Sequence, residues 1–284
     1  MDLSVIIVNY NSAQFIVRCL TSIEVYMKDV EHEVCVVDNA STDGSLSLVE
    51  EEFPYVKIQA NHRNLGFAAA VNQGLEKSMG KYILWLNPDS ELLNNGIVDL
   101  LQYLSINADV GILGPLIVDP DGHTQLSCRS FPSYETAFFN RYSLLTRWFP
   151  RNRYTKRYLL TDWDHNSIHE VDWVSGSCLL HRKEVVRDIG GLDERFFMYN
   201  EDVDFCLRAK KAGWKVYYHP SMQVSHHIGG SSRQKPVRMV IERHRSIWRY
   251  YGKHFRRNPI KDAAIGAAIC GRCALELVRS SGKK

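Results

Sequence analysis

The sequence predicts an α/β protein built on a mostly parallel, Rossmann-like sheet flanked by helices. Two observations carry that prediction. Apolar runs of strand length alternate with stretches of helical period from Leu3 to Leu113, the pattern of crossover-connected parallel strands. The runs are apolar on both faces, as strands covered by helices on two sides must be. A third observation points to where function lies. Two of the first four strands end at an acidic residue, Asp38 and, just past its strand, Asp89. Ligands of open α/β sheets bind at that carboxyl edge.

Each element has a local reason. Leu3–Val8 is a buried strand, Asn9–Ser12 is its turn, and Ser12 is placed to cap the helix that follows. That helix carries Phe15, Ile16, Cys19, Leu20 and Ile23 on one face. The second strand, Glu33–Val37, ends in Asp38-Asn39-Ala40-Ser41-Thr42-Asp43-Gly44. A helix with Leu46, Leu48 and Val49 leads to a short strand, Val56–Ile58. The segment Asn61–Gly66 opens a helix through Val71. The fourth strand, Tyr82–Leu86, stops at Asn87-Pro88-Asp89-Ser90, a turn former. Asp89 is there either a solvated Asx turn or a carboxylate that holds a divalent cation. Residues 94–107 form a helix and Val110–Leu113 a strand.

Regularity drops between Asp119 and His169, where aromatic and basic residues interleave. Such an insertion is a substrate loop or a helical flap. Order returns with the strand Val171–Leu180, which contains Trp173 and Gly176, the glycine marking a close approach. Glu201, Asp202 and Asp204 crowd the start of the next helix, where acidic groups suit the helix dipole or chemistry. A strand, Trp214–Tyr218, precedes a polar loop, Ser225–Ser231, whose His226 and His227 are potential metal ligands.

Composition narrows the classes. The chain of 284 residues suffices for one large or two small domains. Its start lacks the basic n-region of a signal peptide, and no apolar stretch is long enough to span a bilayer. Seven scattered cysteines suit the reduced, buried thiols of a cytoplasmic protein. Cys270 and Cys273 have no second ligand pair, which argues against zinc. There is no GxGxxG after the first strand and no GxxxxGK[ST], which argues against a nicotinamide dehydrogenase and a P-loop enzyme.

The net charge of +3 hides an asymmetry. Residues 233–284 hold 14 Lys/Arg against 3 Asp/Glu, leaving 21 against 29 elsewhere. This basic end alternates apolar and cationic side chains from Arg238 to Arg257, and an apolar helix follows over Ile260–Val278. Its reading stays open between a membrane-interface helix and a helical pair packed on the body or on a second subunit. Two domains follow: a body over 1–232, with the 119–169 insertion, and a basic amphipathic helical region over 233–284.

Taken together and in order, VIIVNYNS, VVDNASTDGS, NLGFAAAVNQG, ILWLNPDSEL, WVSGSCLLHRKEV, GGLDERFFMYNEDVDFCLRAKKAGWKV and HHIGGSS resemble a family 2 inverting glycosyltransferase of GT-A fold. The resemblance covers residues 1–232 apart from 119–169. It is closest to the rhamnosyltransferase-like branch that builds O-antigen and other bacterial cell-surface polysaccharides. It implies a donor nucleotide-sugar, dTDP-rhamnose first and UDP-sugars next, and a divalent metal, Mg²⁺ or Mn²⁺. Position by position it implies that Tyr10, Asn11, Asp38, Arg63, Asn64 and Asn87 bind nucleotide, with Asp38 taking a pyrimidine N3–H. Asp89 and His226 would hold the metal, and Asp202 would be the catalytic base. Trp173, Gly176, Glu201 and Asp204 would serve the acceptor or support the site. Asn87 departs from the Asp that opens the family's Asp-x-Asp motif, which leaves one charge fewer on the metal.

The implied partners are a saccharide or polyprenyl-diphosphate-linked acceptor and the inner-leaflet membrane surface, with room for a homodimer and no nucleic acid. The implied location is cytoplasmic, peripheral at the inner face of the cell membrane. The alternative is a nucleotide-sugar-binding protein without catalysis, against which the joint presence of Asp89, Asp202 and His226 speaks.

Overall fold

The computed structural model describes residues 1–133, 152–227, 236–256 and 258–281. The most aromatic and basic part of the insertion and the glycines of the Ser225–Ser231 segment lie outside them. In chain order the elements are β1 (Leu3–Asn9), α1 (Ala13–Tyr26), β2 (His32–Asp38), α2 (Ser45–Glu52), β3 (Lys57–Ala60), α3 (Phe67–Lys77), β4 (Tyr82–Leu86), β5 (Ser90–Leu92), α4 (Ile97–Ile106) and β6 (Val110–Val118). There follow β7 (Cys128–Arg129), α5 (Arg153–Leu159), β8 (His169–Glu170), β9 (Trp173–Val174), β10 (Cys178–Arg182), α6 (Lys183–Ile189), α7 (Glu201–Lys211), β11 (Lys215–His226), α8 (Pro236–His254) and α9 (Pro259–Ser281).

The main sheet runs β3-β2-β1-β4-β10-β6-β11-β5, with β8 added on β11. Its first four strands are parallel, β10 is antiparallel to both β4 and β6, and β11 is parallel to β6. Leu, Ile and Val of alternate strand positions point to opposite faces. One face packs Ile16, Leu20, Ile23, Leu100 and Leu104 of α1 and α4. The other packs Ala68, Val71, Phe205 and Cys206 of α3 and α7 around Trp85. The doubly covered sheet expected from the apolar runs is present.

Three local expectations change. Ser12 does not cap α1 with its side chain; its hydroxyl donates to Asn9 Oδ1, while Asp43 Oδ2 takes the Ala13 N–H at 2.7 Å. The single strand expected over Val171–Leu180 is two, because Ser175-Gly176-Ser177 turns the chain from β9 into β10. The strand expected to end at Tyr218 continues to His226, so His226 is a strand residue paired with Ser90 of β5.

The C-terminal region does not stand apart. Ser246 of α8 donates to the Met198 carbonyl at 2.8 Å. Lys253 and His254 reach the buried carboxylate of Asp204 on α7, at 2.8 Å and 2.7 Å, beside Arg208 at 2.8 Å. Helix α9 in turn packs on α8. Helix α8 therefore packs on the body. No helix among the described residues is long and apolar enough to cross a membrane.

Candidate active site

A cavity of about 1000 Å³ lies at the carboxyl ends of β1 and β4, at the top of the range for small-ligand clefts. Its wall includes Tyr10, Asn64, Asn87, Asp89, Trp173, Gly176, Glu201, Asp202 and His226. Nine of the thirteen residues singled out from the sequence thus line one space, although up to 216 positions separate them along the chain. Asn11, Asp38, Arg63 and Asp204 do not line it.

Asp38 is 2% exposed and is held by three donors: Asn9 Nδ2 at 2.7 Å, Ser41 Oγ at 2.5 Å and Ser41 N at 3.0 Å. It locks the ends of β1 and β2 together, since Asn9 and Asp38 are register partners. Its neighbour Asn39 does line the cavity and donates to the Gly66 carbonyl at 3.1 Å. Asn11 accepts from Thr42 N at 2.8 Å, and Arg63 is exposed. Asp204 is fully buried against α8. Burial works to raise its pKa, but hydrogen bonds from His254, Lys253 and Arg208 hold the carboxyl below its usual range.

The β5–β11 pair explains the Asp89–His226 approach. The register sets Ser90 opposite His226, and His227 N donates to the Asp89 carbonyl at 2.9 Å. Oδ1 of Asp89 is buried with no hydrogen-bond donor, and Nε2 of His226 stands 3.5 Å from it. The other ring nitrogen, Nδ1, lies 3.1 Å from Gln125 Oε1, and Gln125 Nε2 donates to the His226 carbonyl at 2.7 Å. With the Nδ1 proton given to Gln125, the Nε2 lone pair faces the orphaned carboxylate oxygen. Two acceptors at that spacing suit a shared cation, and the carboxylate and imidazole donor set fits a divalent metal. The His227 ring turns instead to Phe15, its Nε2 3.7 Å from Glu91.

Asp202 lies at the start of α7. Gly176 N donates to its Oδ2 at 2.9 Å, and Val203 N donates to its Oδ1 at 2.8 Å. The close approach of the Ser175–Ser177 turn is thus to the Asp202 carboxylate. Burial raises the Asp202 pKa; the two backbone donors and the positive charge of Arg129 work the other way. Next to it Glu201 is 6% exposed, with Oε2 lacking a partner, and burial followed by the Asp202 charge pushes its pKa upward. The turn into α7 places Tyr199 and Asn200 at φ of 72° and 64°. Asn tolerates that left-handed region and Tyr does not, so packing must hold this segment in place. Gly66 supplies part of that packing. Its φ is +93°, and a Cβ there would sit 2.4 Å from the Phe197 carbonyl, which accepts from Phe67 N at 2.7 Å.

Residues missed from the sequence complete the wall. Gln125 and Arg129 come from the irregular stretch, where no periodicity marks them. The Arg129 guanidinium lies over the Trp173 ring at 5.1 Å and donates to the Leu126 carbonyl. Further wall residues come from α8 and α9.

The fold and this carboxyl-edge cavity, with a paired carboxylate and imidazole and a separate oriented carboxylate, define a GT-A-type glycosyltransferase. The chain matches the family described as glycosyl transferase family 2 over residues 4–184, and it belongs to that family. A further match, to glycosyl transferase family group 2, spans residues 122–251.

Among its relatives, the N-acetylglucosaminyl-diphospho-decaprenol L-rhamnosyltransferase of Mycobacterium tuberculosis is 34% identical over 257 residues, 87% of this chain and 82% of that one. The dTDP-rhamnosyl transferase RfbF of Shigella flexneri is 27% identical over 250 residues, 87% and 75% of the two chains. Among solved structures, the mannosyltransferase PcManGT of Pyrobaculum calidifontis, in complex with GDP-Man and Mn²⁺, superposes with a TM-score of 0.58. It is 18% identical, with 99% of this chain and 75% of that chain covered.

Proposed function

We propose that this glycosyltransferase moves L-rhamnose from dTDP-rhamnose, with inversion, onto a hydroxyl of a polyprenyl-diphosphate-linked saccharide in cell-surface polysaccharide synthesis. The observation that carries the reading is the single cavity shared by Asp89, His226 and Asp202. The rhamnosyltransferase relatives support the donor, and the diphospho-decaprenol relative supports the acceptor class.

Inversion takes one displacement. The acceptor oxygen attacks C1 of the sugar, the bond from C1 to the diphosphate breaks, and the acceptor proton passes to a base. Asp202 takes that proton. Its two backbone donors fix the carboxylate's orientation before substrate arrives, and burial makes it a stronger base than a surface aspartate. Asp89 and His226 would hold Mg²⁺ or Mn²⁺, with Gln125 fixing the imidazole tautomer. Bound there, the ion supplies positive charge for the departing diphosphate. Tyr10, Asn64 and Asn87 line the nucleotide side. Asp38 acts beneath them, by shaping the β1–β2 edge. The charge surplus of residues 233–284 supports peripheral attachment of α8 and α9 to an anionic membrane surface.

The test is direct. The purified chain is offered dTDP-rhamnose and UDP-sugars with a diphosphate-linked N-acetylglucosamine acceptor and Mn²⁺, and the anomeric configuration of the product is read by NMR. Transfer of rhamnose with inversion is expected. Donor binding without transfer to any acceptor would instead mark a nucleotide-sugar-binding protein.

A further inference from the structure

The wall of the cavity is not confined to the sheet edge. It also includes Met239, Ile247 and Tyr251 of α8 and Ile265 and Ile269 of α9, an apolar trough between the two helices. Helix α9 contributes apolar side chains here, yet among the described residues only α8 packs substantially against it. Ile265 and Ile269 are left half-buried. An apolar face at that degree of cover is completed by an apolar occupant. The trough is also cationic. Arg238, Arg243 and Arg272 line it. Arg243 and Arg272 both reach one carboxylate, Glu276. The Arg238 guanidinium stacks over Phe197 at 4.6 Å, in the segment that leads into Asp202.

We infer that this trough is the binding site for the isoprenoid diphosphate portion of the acceptor. The inference rests on the acceptor class proposed above and assigns its two ends to residues. Arg238 and Arg272 take the diphosphate, whose oxygens match the guanidinium fork. Met239, Ile247, Ile265 and Ile269 take the first isoprene units. One cavity wall then carries a partner for each part of such a molecule: Asp202 for the sugar hydroxyl, the arginines for the diphosphate and the apolar side chains for the hydrocarbon. Ile260, Leu275 and Val278 of α9 are exposed, an apolar surface along which the rest of a long lipid can leave.

The experiment uses a pair of soluble acceptors, N-acetylglucosaminyl diphosphate carrying a methyl or a citronellyl group, with dTDP-rhamnose as donor. For the wild type the citronellyl acceptor should have a KM at least tenfold lower, since each buried methylene contributes roughly 0.8 kcal/mol. In Ile269→Asp that preference should collapse. In Arg238→Glu the KM for both acceptors should rise about tenfold or more. The donor KM should move less than twofold in each variant.

A second measurement needs no variant. Farnesyl diphosphate should compete with the citronellyl acceptor at least tenfold better than inorganic diphosphate. Equal KM values for the two acceptors in the wild type would overturn the trough while leaving the proposed reaction intact. So would equal competition by inorganic diphosphate. Competition by vesicles of anionic phospholipid as effective as that of farnesyl diphosphate would assign the trough to lipid headgroups and also overturn it. Failure of the wild type to use any diphosphate-linked acceptor would instead remove the acceptor reading on which the inference stands.

Discussion

Asp202 and Asp204 sit in the same first turn of α7, two residues apart, and the fold treats them in opposite ways. Asp204 is fully buried and meets three basic side chains as hydrogen-bond donors, Arg208, Lys253 and His254, two of them from α8. Asp202 faces the cavity and receives two backbone N–H groups, with no ion pair to a cationic side chain among the described residues. A carboxylate saturated by cations is a fastener. One oriented by backbone donors and left facing open space can still accept a proton. The side of the helix, rather than the residue type, separates the two roles.

Substitutions sharpen this contrast. Asp202→Asn should keep the fold and donor binding and lower turnover by about 10²–10⁴-fold, the span of a lost general base. Steady-state kinetics with a thermal melt check it, and unchanged turnover would move the base elsewhere. Asp204→Ala should do the reverse. It leaves Arg208 and His254 without that carboxylate, while Lys253 keeps Asp193, a loss of about 3–5 kcal/mol for one partner of a buried pair. Urea denaturation would show it, and a midpoint equal to the wild type's would mean that α8 is held by other contacts. Gln125→Leu frees the His226 ring and should weaken Mn²⁺ binding about 10–100-fold, as read by calorimetric titration.

The smallest effect concerns pH, and its sign differs for the two carboxyl types. The folded chain holds the Asp204 carboxyl below its usual pKa, so the unfolded chain binds more protons in the acidic range. Stability from this group is present above the ordinary carboxylate range and is lost as pH falls through the depressed folded pKa. Glu201 runs the other way. Burial and the Asp202 charge raise its pKa, so the folded chain keeps a proton that the unfolded chain has released. Its contribution falls as pH rises above the ordinary carboxylate range. In Glu201→Gln the melting temperature should therefore decline less between mildly acidic pH and a pH of about 8 than in the wild type. An unchanged slope would show that Glu201 is ionised in the fold.

The strand ends and the acidic helix start were legible because each is local: an apolar run that stops at a polar turn, or three carboxylates in four positions. That reading singled out Asp89 and Asp202, and the paired histidines singled out His226; all three line one cavity. It also singled out Asp38, which does not line it, and a sequence does not show Asn9 and Ser41 closing on its oxygens. Gln125 and Arg129 were invisible, since an irregular segment has no period from which a side chain's direction can be read. The basic period of α8 was plain, whereas its seat was not. The contact between Lys253 and Asp204 spans 49 positions, and charge counting over a tail favours any anionic surface equally.

The sequence by itself therefore determined the alternation of strands and helices, the doubly buried sheet and the chemistry-bearing residues at its carboxyl edge. These follow from short-range periodicity and turn chemistry. Tertiary structure alone decided which of those residues share a cavity, which carboxylate faces it, and that α8 and α9 form a wall of that cavity. Such choices depend on pairings between distant segments, above all β5 with β11 and α7 with α8, and no local pattern encodes them.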